Sequence, residues 1–126
     1  MKRIFLVFML FACCTPIFVV TSSAQTTTVA TTDFTAKVNL MDAQIGAGDI
    51  AAAQSTWLAL NGMMKAALDI TKNKIRVAAT SSDRETYTTL NGKQGELYQV
   101  IWGLKKDLVA NRSAIHTQLG LFAATM

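Results

Sequence analysis

Beyond an apolar opening stretch, the hydrophobic positions recur with the period of a helix. Phe34, Val38, Met41 and Ile45 follow one another at steps of four, three and four, which aligns them on one stripe of a first helix. Thr32 stands where a side-chain N-cap belongs, Asp33 suits the positive end of the helix dipole, and Gly46-Ala47-Gly48 stops the run. Asp49 caps the next helix. Its stripe is Ile50, Ala53, Trp57, Leu60, Met64, Leu68, Ile75 and Ala78, with Thr71 the polar member of the line. Asn61-Gly62 is ordinarily a turn, yet the apolar phase is the same on both sides of it. The pattern therefore predicts one helix from Asp49 to about Ala79, weakened by about 1 kcal/mol at Gly62.

Thr80-Ser81-Ser82 reads as a loop, and Ser82-Asp83-Arg84-Glu85 fits a capping box in which Ser82 and Glu85 satisfy each other's backbone amides. A third stripe follows: Tyr87, Leu90, Gln94, Leu97, Ile101, Leu104, Leu108, Asn111, Ile115, Leu119 and Phe122. It predicts a third long helix, bent or broken around Asn111-Arg112-Ser113. With no Pro after Pro16, nothing obliges an earlier stop. The expected fold is all-α: an up-and-down antiparallel bundle over residues 33–126, of three helices, or of four if the last segment folds back. Gly48-Asp49-Ile50, Ala53 and Trp57 resemble the second-helix half of a tetratricopeptide repeat, but no second copy follows, so they read as a tight helix hairpin. Leu60-Asn61-Gly62 recurs as Leu90-Asn91-Gly92 with little else aligned around it, and reads as chance.

The helix lengths do not match. At 1.5 Å per residue the three rods measure about 20, 46 and 60 Å. Joined by tight loops, they leave Ile115, Leu119, Leu121 and Phe122 beyond the start of the second helix. Either the chain turns at Asn111 to Ser113 and packs a fourth helix, or the overhang buries its stripe on another molecule. The second solution is the one expected here, with Ile115, Leu119, Phe122 and the off-stripe Trp102 as partner-binding residues. The partner is then another protein or a second copy of the chain, met through the C-terminal helix.

Composition adds an address. Met1-Lys2-Arg3, the apolar run Ile4 to Val20, and small residues at Ser22 and Ala24 have the form of a secretory signal peptide, residues 1–24, cleaved between Ala24 and Gln25. That removal takes away both Cys, the only Pro and two of the basic residues, lowering the net charge from +4 to +2. Residues 25–32 form a Thr-rich lead-in with little to bury, expected to be disordered. Leu10-Phe11-Ala12-Cys13 is similar to a bacterial lipobox, which would make Cys13 a lipid anchor. Bulky Phe11 and the greasy stub Ile17 to Val20 speak against that. The expected location is the periplasm or the outside of the cell, with membrane contact only through the leader or such an anchor.

The remaining chain is poor in reactive groups. One histidine, His116, and no cysteine give no donor set for a metal or cofactor, and no motif frames a nucleophile beside a base, so an enzyme is not expected. Lys65, Asp69, Lys72 and Arg76 follow at steps of four, three and four along a solvated helix face, so that Asp69 can pair with Lys on either side, and Lys72-Asn73-Lys74-Ile75-Arg76 is too thin a basic run for nucleic acid. The function expected is that of a binding or structural module of the cell envelope. The alternative is a carrier holding a small apolar ligand between helices around Trp57, Met63, Met64 and Trp102.

Overall fold

The computed structural model describes residues 30–126, in which four α-helices and no strand occur: α1 Thr31–Gly46, α2 Ile50–Val77, α3 Ser81–Leu104 and α4 Arg112–Ala123. The expected cleavage at Ala24 and Gln25, the lipidation at Cys13 and the lead-in up to residue 29 lie outside the described residues. Thr31 and Thr32, expected in the lead-in, belong to α1. Thr32 caps nothing, because the amides of Asp33 and Phe34 already reach back to the Ala30 carbonyl. Fully buried Phe34 holds that first turn in place.

α1 ends in a Schellman motif. The Asp49 amide donates to the Gln44 carbonyl and the Gly48 amide to Ile45, with Gly48 at φ +78°, a conformation that a side chain would strain. Asp49 immediately accepts from the Ala52 amide at 3.1 Å, so one residue closes the turn and caps α2. α2 runs through Asn61-Gly62 without a break, as the constant apolar phase predicts. The cap of α3 lies two residues earlier than Ser82. Thr80 accepts from the Asp83 amide at 3.0 Å and donates to its carboxylate at 2.7 Å. Thr80-x-x-Asp83 and Ser82-x-x-Glu85 satisfy the same spacing rule, and the extended backbone of Thr80 selects the first.

Each neighbouring pair of helices is antiparallel. Asn91 donates to the Leu68 carbonyl and Tyr98 to Asn61, so seven steps forward on α3 are seven steps back on α2. Arg112 meets Asp42 while His116 meets Asn39, which runs α4 against α1. α1 packs on α2, α2 on α3, α3 on α4, and α4 back on α1, closing a ring around one core. That core holds Phe34, Val38, Met41 and Ile45 of α1, Ala53, Trp57, Leu60, Met64 and Ala67 of α2, Ile101 of α3, and Ile115, Leu119 and Phe122 of α4. All four predicted positions of α1 face inward, and Phe34 meets Phe122 with ring centroids 5.8 Å apart.

The third stripe is divided between two helices. α3 stops at Leu104, earlier than the expected break, and α4 starts at Arg112. The connection satisfies its own backbone: Asn111 Nδ2 donates to the Leu104 carbonyl at 2.9 Å, and Asp107 accepts from the Ala110 amide at 2.9 Å. Leu108 stays buried within the turn. The expected overhang therefore does not arise. Ile115, Leu119 and Phe122, expected at a partner interface, are each 0% exposed and fill the chain's own core. Folding back wins because one turn brings the stripe onto α1 and α3 without the translational entropy that a second molecule would lose. Gln94, 1% exposed, ties the chain end to α3 by donating to the Thr125 carbonyl, while its own Oε1 has no partner.

Two short helices cover only part of two long ones. α1 and α4 have 16 and 12 residues against 28 and 24 for α2 and α3. The α2–α3 hairpin projects beyond them as a bare pair of rods.

A chain ending at Asn111 is expected to lose its cooperative thermal transition, because Phe34, Ile101 and Leu108 lose their cover. Phe122→Ala alone should lower unfolding stability by about 3–5 kcal/mol in a urea titration, and exposed Leu121→Ala by under about 0.5 kcal/mol. Equal effects of the two would contradict this packing.

Candidate functional site

The outer face of the α2–α3 hairpin, away from α1 and α4, carries the most organised exposed cluster. Its seam is polar where the core below it is apolar. Asn91 spans it by donating to the Leu68 carbonyl at 3.2 Å, and Asn61 spans it by accepting from the Tyr98 hydroxyl at 2.9 Å. Both asparagines of the recurring Leu-Asn-Gly therefore do the same work. An antiparallel pair has a local twofold axis, and Asn61 and Asn91 are its equivalent positions, each seven residues before the other's contact. The recurrence that reads as chance along the chain is a matched feature of the hairpin.

Tyr98, fixed by Asn61, orders the residues that follow. Its ring stacks on Trp102, one turn later, with centroids 6.1 Å apart and planes 24° from parallel. Lys105, three residues on, places its ammonium 3.1 Å from the centre of the Trp102 ring. Trp102 is thus held by two neighbours and is still 41% exposed. Across the seam the helix register sets Leu58, 69% exposed, on the same outer face. Gly62 and Gly95 have open space where a side chain would stand, which leaves the surface flat beside the cluster. Trp57 faces the other way and is buried in the core, as is Met64, with Met63 packed at its edge. The four residues nominated for a ligand chamber are thus divided between the interior and the outer surface.

A second cluster joins α1 to α4. Arg112 grips Asp42 through Nε and Nη2, both at 2.8 Å. His116 Nε2 lies 3.4 Å from Asn39 Oδ1. Arg112 lies so close to Gly46 that a Cβ there would stand 2.8 Å from its terminal nitrogens. The two charges face unfavourable dipole ends on their own helices, an anion near a C-terminus and a cation at an N-terminus, and each is set against the favourable end of the other helix. A shallow cleft of about 390 Å³ opens here, lined by Asp42, Val109, Ala110, Arg112, Ser113, His116 and Thr117. Its charged groups serve each other. Among the described residues no group of three or more His, Cys, Asp or Glu side chains is placed to hold a metal ion.

The hydrogen bond from Arg112 holds the Asp42 carboxyl below its ordinary pKa; the charges of Arg112 and His116 act in the same direction, and partial desolvation opposes them. Arg112 is raised by the same bond. No local pattern announces this pair, since its members are 70 residues apart. Of the residues expected to bind a partner, only Trp102 stands at the surface. Its neighbours Tyr98 and Lys105 were legible as flanking residues, at spacings of four and three, but not as its supports.

No known protein family matches the chain, no curated protein is similar to it in sequence, and no solved structure matches its fold.

A carboxyl that is a stronger acid when folded stabilises the fold above its unfolded pKa, and that contribution disappears as pH falls through the lowered folded value. Asp42→Asn should accordingly melt below the wild type at neutral pH, with the gap closing in acid; a gap that persists there would show that charge is not the cause. Iodide should quench the Trp102 emission of a Trp57→Phe variant strongly and the Trp57 emission of a Trp102→Phe variant weakly.

Proposed function

We propose that the chain is a small non-enzymatic binding module of the cell envelope, exported by its leader to the periplasm or beyond, and that it docks a protein partner on the outer face of the α2–α3 hairpin. The observation that carries this reading is Trp102, exposed yet held by Tyr98 and Lys105 beside exposed Leu58. A large aromatic side chain whose rotamer is already fixed loses little freedom on binding, the property of an interface anchor. Lys105 and Lys65 give this face a polar rim, the usual surround of such an anchor. α4 contributes indirectly by covering the opposite side of the hairpin.

The carrier reading has less support. Trp57, Leu60 and Met64 pack into one continuous core with the residues of α1 and α4. A ligand between the helices would have to displace those contacts.

A photo-crosslinking residue tests the docking face. Placed at Leu58 in cells that make the protein, it should give a discrete adduct, whereas the same residue at Leu121 or Leu40 should not. Trp102→Ala should abolish the Leu58 adduct while lowering stability by no more than about 1 kcal/mol. Absence of the adduct, or an equal one from Leu121, would refute this face as the docking site.

A further inference from the structure

The bare end of the α2–α3 hairpin is a different surface. Just beyond the first residue of α1 and the chain end, the two long helices lose their cover after buried Thr71, and residues 72–77 and 81–89 continue alone. This end also holds the charge surplus of the described residues. Lys72, Lys74, Arg76 and Arg84 stand there against Asp83 and Glu85, while elsewhere among the described residues six Lys and Arg balance six Asp and Glu. Asp83 is engaged in capping α3 through Thr80. Asp69, at the border, approaches Lys72 at 3.9 Å with both side chains largely exposed, a pair that solvent weakens.

The arrangement of these cations selects the partner. At 100° per residue, Lys72 and Arg76 lie on one side of α2 and Lys74 on the other, with its ammonium 5.7 Å from the centre of the Tyr87 ring on α3. Arg84 adds a charge to α3. Lys72, eleven residues past Asn61, and Arg84, seven before Asn91, continue the outer seam with Arg76 beside them, while Lys74 stands on the inner side, so positive charge flanks both broad faces of the projecting end. At the apex Val77 is 72% exposed, followed by Ala78 and Ala79. Positive charge on both faces of a small apolar apex suits an extended anionic plane approached end-on.

We propose that the hairpin tip binds the surface of an anionic phospholipid bilayer, with Lys72, Lys74, Arg76 and Arg84 among the headgroups and Val77 at the boundary of the acyl region. The attachment is peripheral: no helix among the described residues is long and apolar enough to cross a membrane. A few cations with one small apolar side chain give weak binding that salt reverses within a Debye length.

Vesicle flotation tests this with residues 25–126, which contain the whole core, so that the apolar leader does not contribute. On vesicles of phosphatidylcholine with about one third phosphatidylglycerol, the floated fraction should exceed that on phosphatidylcholine alone at least about tenfold at low salt. A triple variant carrying Lys72→Glu, Arg76→Glu and Arg84→Glu should lose that excess while keeping its thermal transition. A control with Lys37→Glu, Lys93→Glu and Lys106→Glu, equal in charge change but on the body, should retain most of it. Equal flotation on neutral vesicles, persistence in the tip variant, or equal loss in the control would overturn the proposal. Retention by soluble polyglutamate without vesicle binding would overturn it in favour of an acidic polymer.

Discussion

The fold depends on covering one apolar seam with segments from opposite ends of the chain. α2 and α3 form a long antiparallel pair whose inner face, with Trp57, Leu60, Met64 and Ile101, remains wet until α1 and α4 lie over it. The contact that closes the cover is Phe34 against Phe122, and nearly the whole described sequence separates these two residues. Hydrophobic burial supplies the energy, and the Asp42–Arg112 clamp sets the position of α4 on α1. With no cysteine in the described residues, no covalent link shares this task.

The cover by two shorter helices then decides which surfaces of the hairpin stay exposed. The short helices must lie on the same side of the hairpin, since that is where its apolar stripes point. Their cover leaves two surfaces in water: the opposite face, with the Asn61–Tyr98 bond and Trp102, and the end beyond their reach, with the basic residues. Neither surface requires a special device. Both are what remains when a four-residue apolar stripe and a three-residue one are laid over stripes of roughly twice their length. The proposed docking face around Trp102 and the proposed lipid-facing tip are thereby kept apart along the hairpin.

The helices were legible because their apolar residues keep phase over many turns. Continuity through Asn61-Gly62 could be read because a turn would have shifted that phase. The cap of α3 was ambiguous because two overlapping segments obey one spacing rule, and only backbone geometry separates them. The break before α4 was placed late because Leu108 and Asn111 fall on the helical stripe although they lie in a turn; Leu108 occupies the core from an irregular segment. Of the candidate site, Trp102 was visible as an aromatic residue beside its stripe. The support from Tyr98 and Lys105 was not, because spacing permits such contacts without requiring them.

By itself, then, the sequence determined that the chain is helical, which face of each helix turns inward, and how poor it is in reactive groups. These are properties of residue type and local period, carried by a few neighbouring positions. Tertiary structure alone decided that Ile115, Leu119 and Phe122 close the chain's own core, that Arg112 meets Asp42, and that Asn61 and Asn91 are twins across a seam. Each of these joins residues far apart along the chain. Such a choice is a competition between whole arrangements for the same buried area, and no local spacing records which arrangement wins.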